Sequence, residues 1–159
     1  MTELFAYYCF DTSALVTMWR FMYPPRNFAS VWRKMETHIN QGELVIPQEV
    51  YDELDAGNDD LFEFVKEHAG VMVKHLDDEQ VELTFEILAR FPGLVDVNRT
   101  IPEADPYVIA LARQKGWNVV TSEVPSGSAA KPKIPNVCEA YRIPCLSPIQ
   151  FINEMNWNI

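Results

Sequence analysis

Four acidic residues stand at points of the chain from which their carboxylates can converge on one site. Asp11 ends an apolar run, and Glu123 lies just after the run 118–121, separated from it by Ser122. Asp105 precedes a proline, and Glu53 lies in an amphipathic segment. Like charges held close together are unfavourable unless a cation neutralises them, and hard cations such as Mg²⁺ or Mn²⁺ prefer oxygen ligands. With one or two such ions, this set of residues predicts hydrolysis of phosphodiester bonds.

Strands that alternate with amphipathic helices are predicted to position these carboxylates. Apolar runs predict strands at 4–10, 44–46, 118–121 and 144–146, and they favour a further strand at 71–73. Spacing and capping residues predict helices at 12–22, 28–41, 47–54, 59–68, 77–90, 105–115 and 136–141, and from 148 onward. This alternation indicates an α/β fold with a parallel sheet covered on both faces, whose ligands bind beyond the carboxyl ends of the strands. The four acids fall at that edge.

The composition is that of one globular domain spanning residues 1–159. Of the 159 residues 48% are hydrophobic, which is enough for a packed core. Acidic residues outnumber basic ones by 23 to 13, and a net charge of −10 repels nucleic acid unless basic patches or bound cations reverse the field locally. The charge therefore argues against a nucleic-acid partner everywhere except at such patches.

The cysteines and the apolar first segment indicate a cytoplasmic protein. Cys9, Cys138 and Cys145 form no Cys-x-x-Cys pair, which argues against a disulfide framework and a zinc knuckle. The apolar run 4–10 is too short to span a membrane, and no basic segment precedes it. We therefore expect no contact with a membrane.

Four motifs in order give the chain a resemblance to a known family. They are Phe10-Asp11-Thr12-Ser13, Val50-Tyr51-Asp52-Glu53-Leu54, Ala104-Asp105-Pro106 with the apolar run 109–112, and Val119-Val120-Thr121-Ser122-Glu123. Together they resemble the PIN domain, a family of ribonucleases that includes the VapC-like toxins of bacterial toxin–antitoxin pairs. Each motif alone is weak, but their order and spacing match over about residues 4 to 146.

The resemblance implies a three-layer α/β/α sandwich with a central, mostly parallel sheet, and an endoribonuclease activity that depends on Mg²⁺ or Mn²⁺. It implies that Asp11, Glu53, Asp105 and Glu123 are catalytic and that Asp11, Asp105 and Glu123 hold the metal. It also implies an RNA substrate, frequent homodimers, and a small antitoxin that blocks the site. In the family the last acid is more often Asp, so the longer Glu123 is expected to reach a metal from a different angle or to act through water.

Three hydroxyl residues near these acids are candidates for a supporting role. Thr12, Ser13 and Thr121 can hydrogen-bond a carboxylate or a phosphate, although capping and turn roles explain them almost as well. Ser13 is the strongest of the three. The loop 124–135, rich in Pro, Ser, Gly and Lys, follows Glu123 and is expected to be mobile.

Several alternatives stay open at this stage. Asp105 can serve only as a helix cap, and Glu49, one turn before Glu53, can face the site in its place. The scattered His38, His68 and His75 lack ligand spacing and receive no role. Two basic groups are candidate RNA-facing patches, one with Arg20, Arg26, Arg33 and Lys34 and the other, nearer the site, with Lys131 and Lys133.

The function also has rivals. A housekeeping RNA-processing nuclease would need the same four acids. A catalytically inactive PIN-like module that binds a protein partner fits the acidic surface and the Glu at position 123. A phosphatase with Asp11 as nucleophile is disfavoured, because Ser13 occupies the position at which a second Asp would act as general acid.

Overall fold

A parallel sheet of five strands forms the centre of the computed structural model, which describes residues 6–96, 98–99 and 102–159. The strand order is β3-β2-β1-β4-β5, and each neighbouring pair runs parallel. The strands are β1 (Tyr8–Phe10), β2 (Leu44–Pro47), β3 (Val73–Lys74), β4 (Asn118–Val120) and β5 (Cys145–Leu146). The predicted α/β fold is therefore confirmed.

Helices connect the strands and cover the sheet. Their bounds are α1 (Thr12–Thr17), α2 (Ala29–Asn40), α3 (Gln48–Gly57), α4 (Asp60–Glu67), α5 (Ala69–Met72), α6 (Asp78–Arg90), α7 (Asp105–Lys115), α8 (Ile134–Tyr141) and α9 (Pro148–Met155). A π-helical turn (Met18–Met22) extends α1, and a 3₁₀ turn (Pro92–Leu94) follows α6. None of the helices in the described ranges is long and apolar enough to cross a bilayer.

The alternation of side chains along β1 shows how the layers pack. The rings of Tyr8 and Phe10 each lie 5.0 Å, centroid to centroid, from the ring of Phe151 in α9. Cys9 points to the opposite face, where its Sγ lies 3.9 Å from the carbonyl oxygen of Val108 in α7. β1 is buried on both faces, which is why its sequence is continuously apolar rather than alternating.

Some predicted boundaries differ from the observed ones. Residues 4 and 5 of the first predicted strand lie outside the described residues, and β1 begins at Tyr8. The expected strand at 71–73 is wrong for its first two positions, because Val71 and Met72 belong to α5. A short apolar run fits a buried helical turn as well as a strand, so periodicity alone does not separate them. α8 begins at Ile134, two residues before the predicted start.

Candidate active site

The predicted acids lie at the carboxyl edge of the sheet, where the chain reverses its direction of winding. Successive connections lead from β1 to β2 and β3 on one side, and then from β3 across to β4 and β5 on the other. The neighbouring strands β1 and β4 therefore form a topological switch point, where open α/β sheets leave a crevice. Asp11 follows β1 at this point, and Thr121 to Glu123 follow β4.

Asp11 is the buried centre of the site, with 1% of its surface exposed. It is the N-cap of α1, and its Oδ1 accepts a hydrogen bond from the amide of Ala14 at 2.8 Å. Ser13 Oγ lies 2.9 Å from Oδ1 and 2.8 Å from Oδ2, and Thr121 Oγ1 donates to Oδ2 at 2.5 Å. A carboxylate accepts about four hydrogen bonds, so these donors leave Asp11 little further capacity, enough for a ligand bond to one cation.

The charge on Asp11 is unfavourable despite these donors. Burial and, to a smaller extent, the negative charge of Glu123 raise its pKa, which is about 6 with all effects included. The hydrogen bonds from Thr121, Ala14 and Ser13 lower the pKa and offset part of that cost. The predicted supporting roles of Ser13 and Thr121 therefore correspond to direct contacts with this carboxylate.

Asp105 lies where the other acids meet. It is the first residue of α7, and the cap position is occupied by Ala104, so the alternative reading of Asp105 as only a helix cap is wrong. Burial and then the charges of Glu123, Asp11, Glu53 and Glu103 together raise its pKa to about 8. Carboxylates from four separate elements are therefore close enough to repel one another.

Glu53 reaches the site from α3. Its Oε1 accepts a hydrogen bond from Thr12 Oγ1 at 2.5 Å, and its Oε2 lies 3.6 Å from the guanidinium of Arg99. Glu53 also raises the pKa of Asp105, whereas Glu49, the competing residue one turn earlier, is not among the charges that do so. Glu49 lies instead near Tyr107, whose pKa is raised by burial and then by the charge of Glu49.

Glu123 closes the site from the β4 side. Its amide donates to Thr121 Oγ1 at 3.1 Å, and the amide of Ser122 donates to Ser13 Oγ at 3.2 Å. These bonds hold the backbone after β4 against the start of α1. Glu123 Oε2 is buried and accepts no hydrogen bond from the described residues. A buried carboxylate oxygen without a donor costs free energy, which a bound cation would recover.

The donor set suits a hard divalent cation, although the carboxylates do not surround one point. In the ranges that the structure describes, no three Asp, Glu, His or Cys side chains are arranged to hold one ion between them. Mg²⁺ commonly binds through one or two carboxylates and keeps several waters. The oxygen-only chemistry, the mutual repulsion at Asp105 and the unpartnered Oε2 of Glu123 fit such a site.

Two residues at the margin of the site were not predicted from sequence patterns. Arg99 pairs with Glu53 and also with Glu103, whose Oε1 lies 2.9 Å from the Arg99 guanidinium. Both residues lie in the segment before α7, which shows no helical or strand periodicity. The nearness of Glu103 to Asp105 in sequence was the one available hint.

Comparison with known proteins supports the fold and a family assignment, but it does not identify a reaction. A family model described as "Domain of unknown function (DUF4411)" matches residues 8–159. No curated protein sequence matches the chain.

Two solved structures are similar to the chain. The crystal structure of FitAcB from Neisseria gonorrhoeae has a TM-score of 0.53 and 17% identity, covering 89% of this chain and 98% of that one. The crystal structure of VapBC2 from Rickettsia felis, bound to a DNA fragment from their promoter, has a TM-score of 0.51 and 15% identity, covering 88% and 96%. At this identity the likeness shows the fold, a PIN-like α/β/α sandwich.

Proposed function

The chain belongs to the DUF4411 family, and we propose that it is a divalent-metal-dependent endoribonuclease with a PIN-like fold. The observation that carries the proposal is the placement of three other carboxylates, those of Glu123, Asp11 and Glu53, near the buried Asp105, whose pKa is raised by burial and by their charges. Repulsion between close carboxylates destabilises the folded protein, so it has no use in a purely structural role. The same carboxylates supply the oxygen ligands that Mg²⁺ or Mn²⁺ prefers.

Each residue has a distinct part in the proposed reaction. Asp11 and Asp105 would hold the ion, and Glu123, one methylene longer than Asp, would bind it directly or through a water. A bound ion would lower the pKa of water and polarise the phosphodiester. Glu53, oriented by Thr12, accepts hydrogen bonds from the attacking water. Ser13 and Thr121 fix the Asp11 carboxylate in one rotamer.

The biological role we propose is that of a toxin held in check by an antitoxin protein. The likeness to VapBC2, the name of a toxin–antitoxin pair, supports this role and an antitoxin as partner. A homodimer and a cytoplasmic location remain part of the proposal. A housekeeping RNA-processing role would use the same residues, and a gene for a small antitoxin beside this one would distinguish the two.

The test of the activity is cleavage of a panel of labelled RNAs with and without Mg²⁺ or Mn²⁺. Asp105→Asn is expected to lower the cleavage rate by roughly 10²–10⁴-fold, because it removes the negative charge of a proposed metal ligand. Asp78→Asn is the matched control, since Asp78 is also the first residue of its helix but is exposed, and this variant is expected to cleave at the wild-type rate. Cleavage that survives a chelator, or an equal effect of both variants, would contradict the proposal.

One observation favours a second candidate, a non-catalytic module that binds a protein partner. In the described residues no three ligating side chains are arranged around one ion. Titration of Mn²⁺ followed by its paramagnetic resonance separates the two readings. Wild-type protein that binds no Mn²⁺ and cleaves no RNA would support the binding module.

A further inference from the structure

A groove of about 510 Å³ lies beside the acidic cluster, between two segments that lead to its residues. One wall is the segment before α7, with Asp96 and Glu103. The other wall is the loop after Glu123, with Lys131 and Lys133. The groove is therefore lined by one segment that precedes Asp105 and one that follows Glu123 in the sequence.

The two walls differ in the charge that they offer to a ligand. The carboxylate of Glu103 is engaged internally, because it accepts from Arg99 at 2.9 Å and from the amide of Asp96 at 2.8 Å. Asp96 Oδ1 accepts from the amide of Asn98 at 2.9 Å. Lys131 and Lys133 are exposed, and neither ammonium pairs with a carboxylate of the described residues. The cations that remain available therefore lie on the loop wall.

Contacts on both sides fix the backbone of the lysine loop. Asn136 Oδ1 accepts from the amides of Ser126 at 2.8 Å and Lys133 at 2.9 Å, and Asn136 Nδ2 donates to the carbonyl oxygen of Ser126 at 3.1 Å. At Gly93 the opposite wall approaches so closely that a Cβ would lie 1.8 Å from the carbonyl oxygen of Ala130. The loop lacks regular structure, as expected, but its lysines extend from an anchored backbone.

The groove is linked to the acidic cluster through one arginine. Glu103 on the groove wall binds Arg99, and Arg99 lies 3.6 Å from Glu53 of the cluster. The groove is thus separated from Glu53 of the cluster, at Glu103, by the side chain of Arg99. Its volume is in the range of pockets that hold one small ligand, so it admits nucleotides of one strand rather than a duplex.

We infer that this groove, with Lys131 and Lys133 as its cationic wall, holds the phosphodiester backbone of a single nucleic-acid strand on one side of the cleavage site. The inference rests on the proposed function for the identity of the strand as RNA. It explains how a chain of net charge −10 attracts nucleic acid locally.

The lining predicts how such a strand is bound. Its described lining residues include no aromatic ring on which a base can stack. Affinity then depends on phosphate contacts, and it is salt-dependent and tolerant of sequence.

The test is binding of a fluorescent single-stranded RNA to the Asp11→Asn protein in Mg²⁺, which separates binding from cleavage. Adding Lys131→Ala and Lys133→Ala is expected to weaken binding by about tenfold at low salt and to reduce the log–log salt slope by roughly 1.4. The matched control is Lys74→Ala with Lys115→Ala, which removes the same charge from a separate pocket of about 230 Å³. The control is expected to bind like the parent protein.

The outcomes separate this inference from the proposed activity. RNA affinity that is equally lowered by both lysine pairs, or by neither, would overturn the groove even if wild-type protein cleaves RNA. Conversely, lysine-dependent RNA binding supports the groove even if wild-type protein proves inert. DNA of the same sequence, duplex RNA and polyglutamate are run beside the RNA. Binding of polyglutamate but not of RNA through these lysines would assign the groove to an acidic peptide and overturn the inference.

Discussion

Two aspartates of this chain cap helices in the same way, but their pKa values are shifted in opposite directions. Asp11 caps α1 by accepting from the amide of Ala14 at 2.8 Å, and Asp77 caps α6 by accepting from the amide of Gln80 at 2.8 Å. Yet the pKa of Asp11 is raised to about 6, whereas the pKa of Asp77 is lowered. The local cap is therefore not what distinguishes a functional carboxylate from a structural one.

The difference arises from what surrounds each cap. Asp77 is exposed, and hydrogen bonds from Gln114 together with the charge of Lys115 favour its ionised form. Gln80 Oε1 also accepts a hydrogen bond from the amide of Asp77 at 2.9 Å, which completes a capping box. Asp11 is buried beside other carboxylates, and its main side-chain donor, Thr121, comes from a different strand. A buried carboxylate whose charged form is unfavourable in this way is typical of sites that bind a cation.

The strongest test of this contrast is to remove the charge from each cap. Asn caps a helix about as well as Asp, so neither Asp11→Asn nor Asp77→Asn is expected to unfold its helix. For Asp11→Asn we expect RNA cleavage to fall by roughly 10²–10⁴-fold, because a proposed metal ligand is lost. For Asp77→Asn we expect cleavage at the wild-type rate. Equal losses in single-turnover cleavage would remove the distinction between the two caps.

The contrast also shows what the sequence could predict. An Asp that ends a fully apolar strand is visible in the sequence, and so is the order of strands and helices that brings Asp11 and Glu123 to one edge. The fold class follows from the same alternation. These features depend on local patterns that are visible in consecutive residues of the sequence.

Other features depend on tertiary packing and were beyond such patterns. The sequence Ala104-Asp105-Pro106 reads as a cap at Asp105, but the helix begins one residue earlier in register, and this frees the carboxylate for the site. Arg99 and Glu103 come from an aperiodic segment, so their link to Glu53 has no periodic signature. The anchoring of the lysine loop by Asn136 and Gly93 is likewise a matter of long-range contact.

A smaller effect is expected when each cap loses its side-chain donor. Thr121→Val removes the 2.5 Å hydrogen bond to Asp11, which lowers that pKa, so the pKa of Asp11 should rise further. We expect a loss of cleavage of about 10- to 100-fold and an activity profile displaced to higher pH, as for other residues that orient a metal ligand. Thr121→Ser keeps the hydroxyl and is expected to recover most of the rate.

Gln114→Ala is the matched change at the other cap. It removes the donor that lowers the pKa of Asp77, and because Asp77 is exposed we expect only a small loss of stability. Cleavage and its pH profile should stay at wild-type values. A displaced profile in Gln114→Ala, or an unchanged one in Thr121→Val, would show that these donors do not act through the carboxylates they contact.

The last expected effect is on the pH dependence of stability, and it has opposite signs at the two caps. An acid whose pKa is higher in the folded than in the unfolded protein, where it is about 4, binds more protons when folded, so stability is lost as pH rises. With the pKa of Asp11 at about 6 and that of Asp105 at about 8, the metal-free protein should lose stability from about pH 4 to about pH 8. The lowered pKa of Asp77 acts oppositely, and its contribution is lost as pH falls below about 4.

Thermal unfolding in a chelator should therefore show a melting temperature that falls toward pH 8 in the wild type and falls less in Asp105→Asn. Saturating Mg²⁺ should restore the wild-type value at pH 8, because the ion replaces the protons that the carboxylates release. A melting temperature that is flat or rises over this range would mean that the carboxylates do not repel one another in the folded protein.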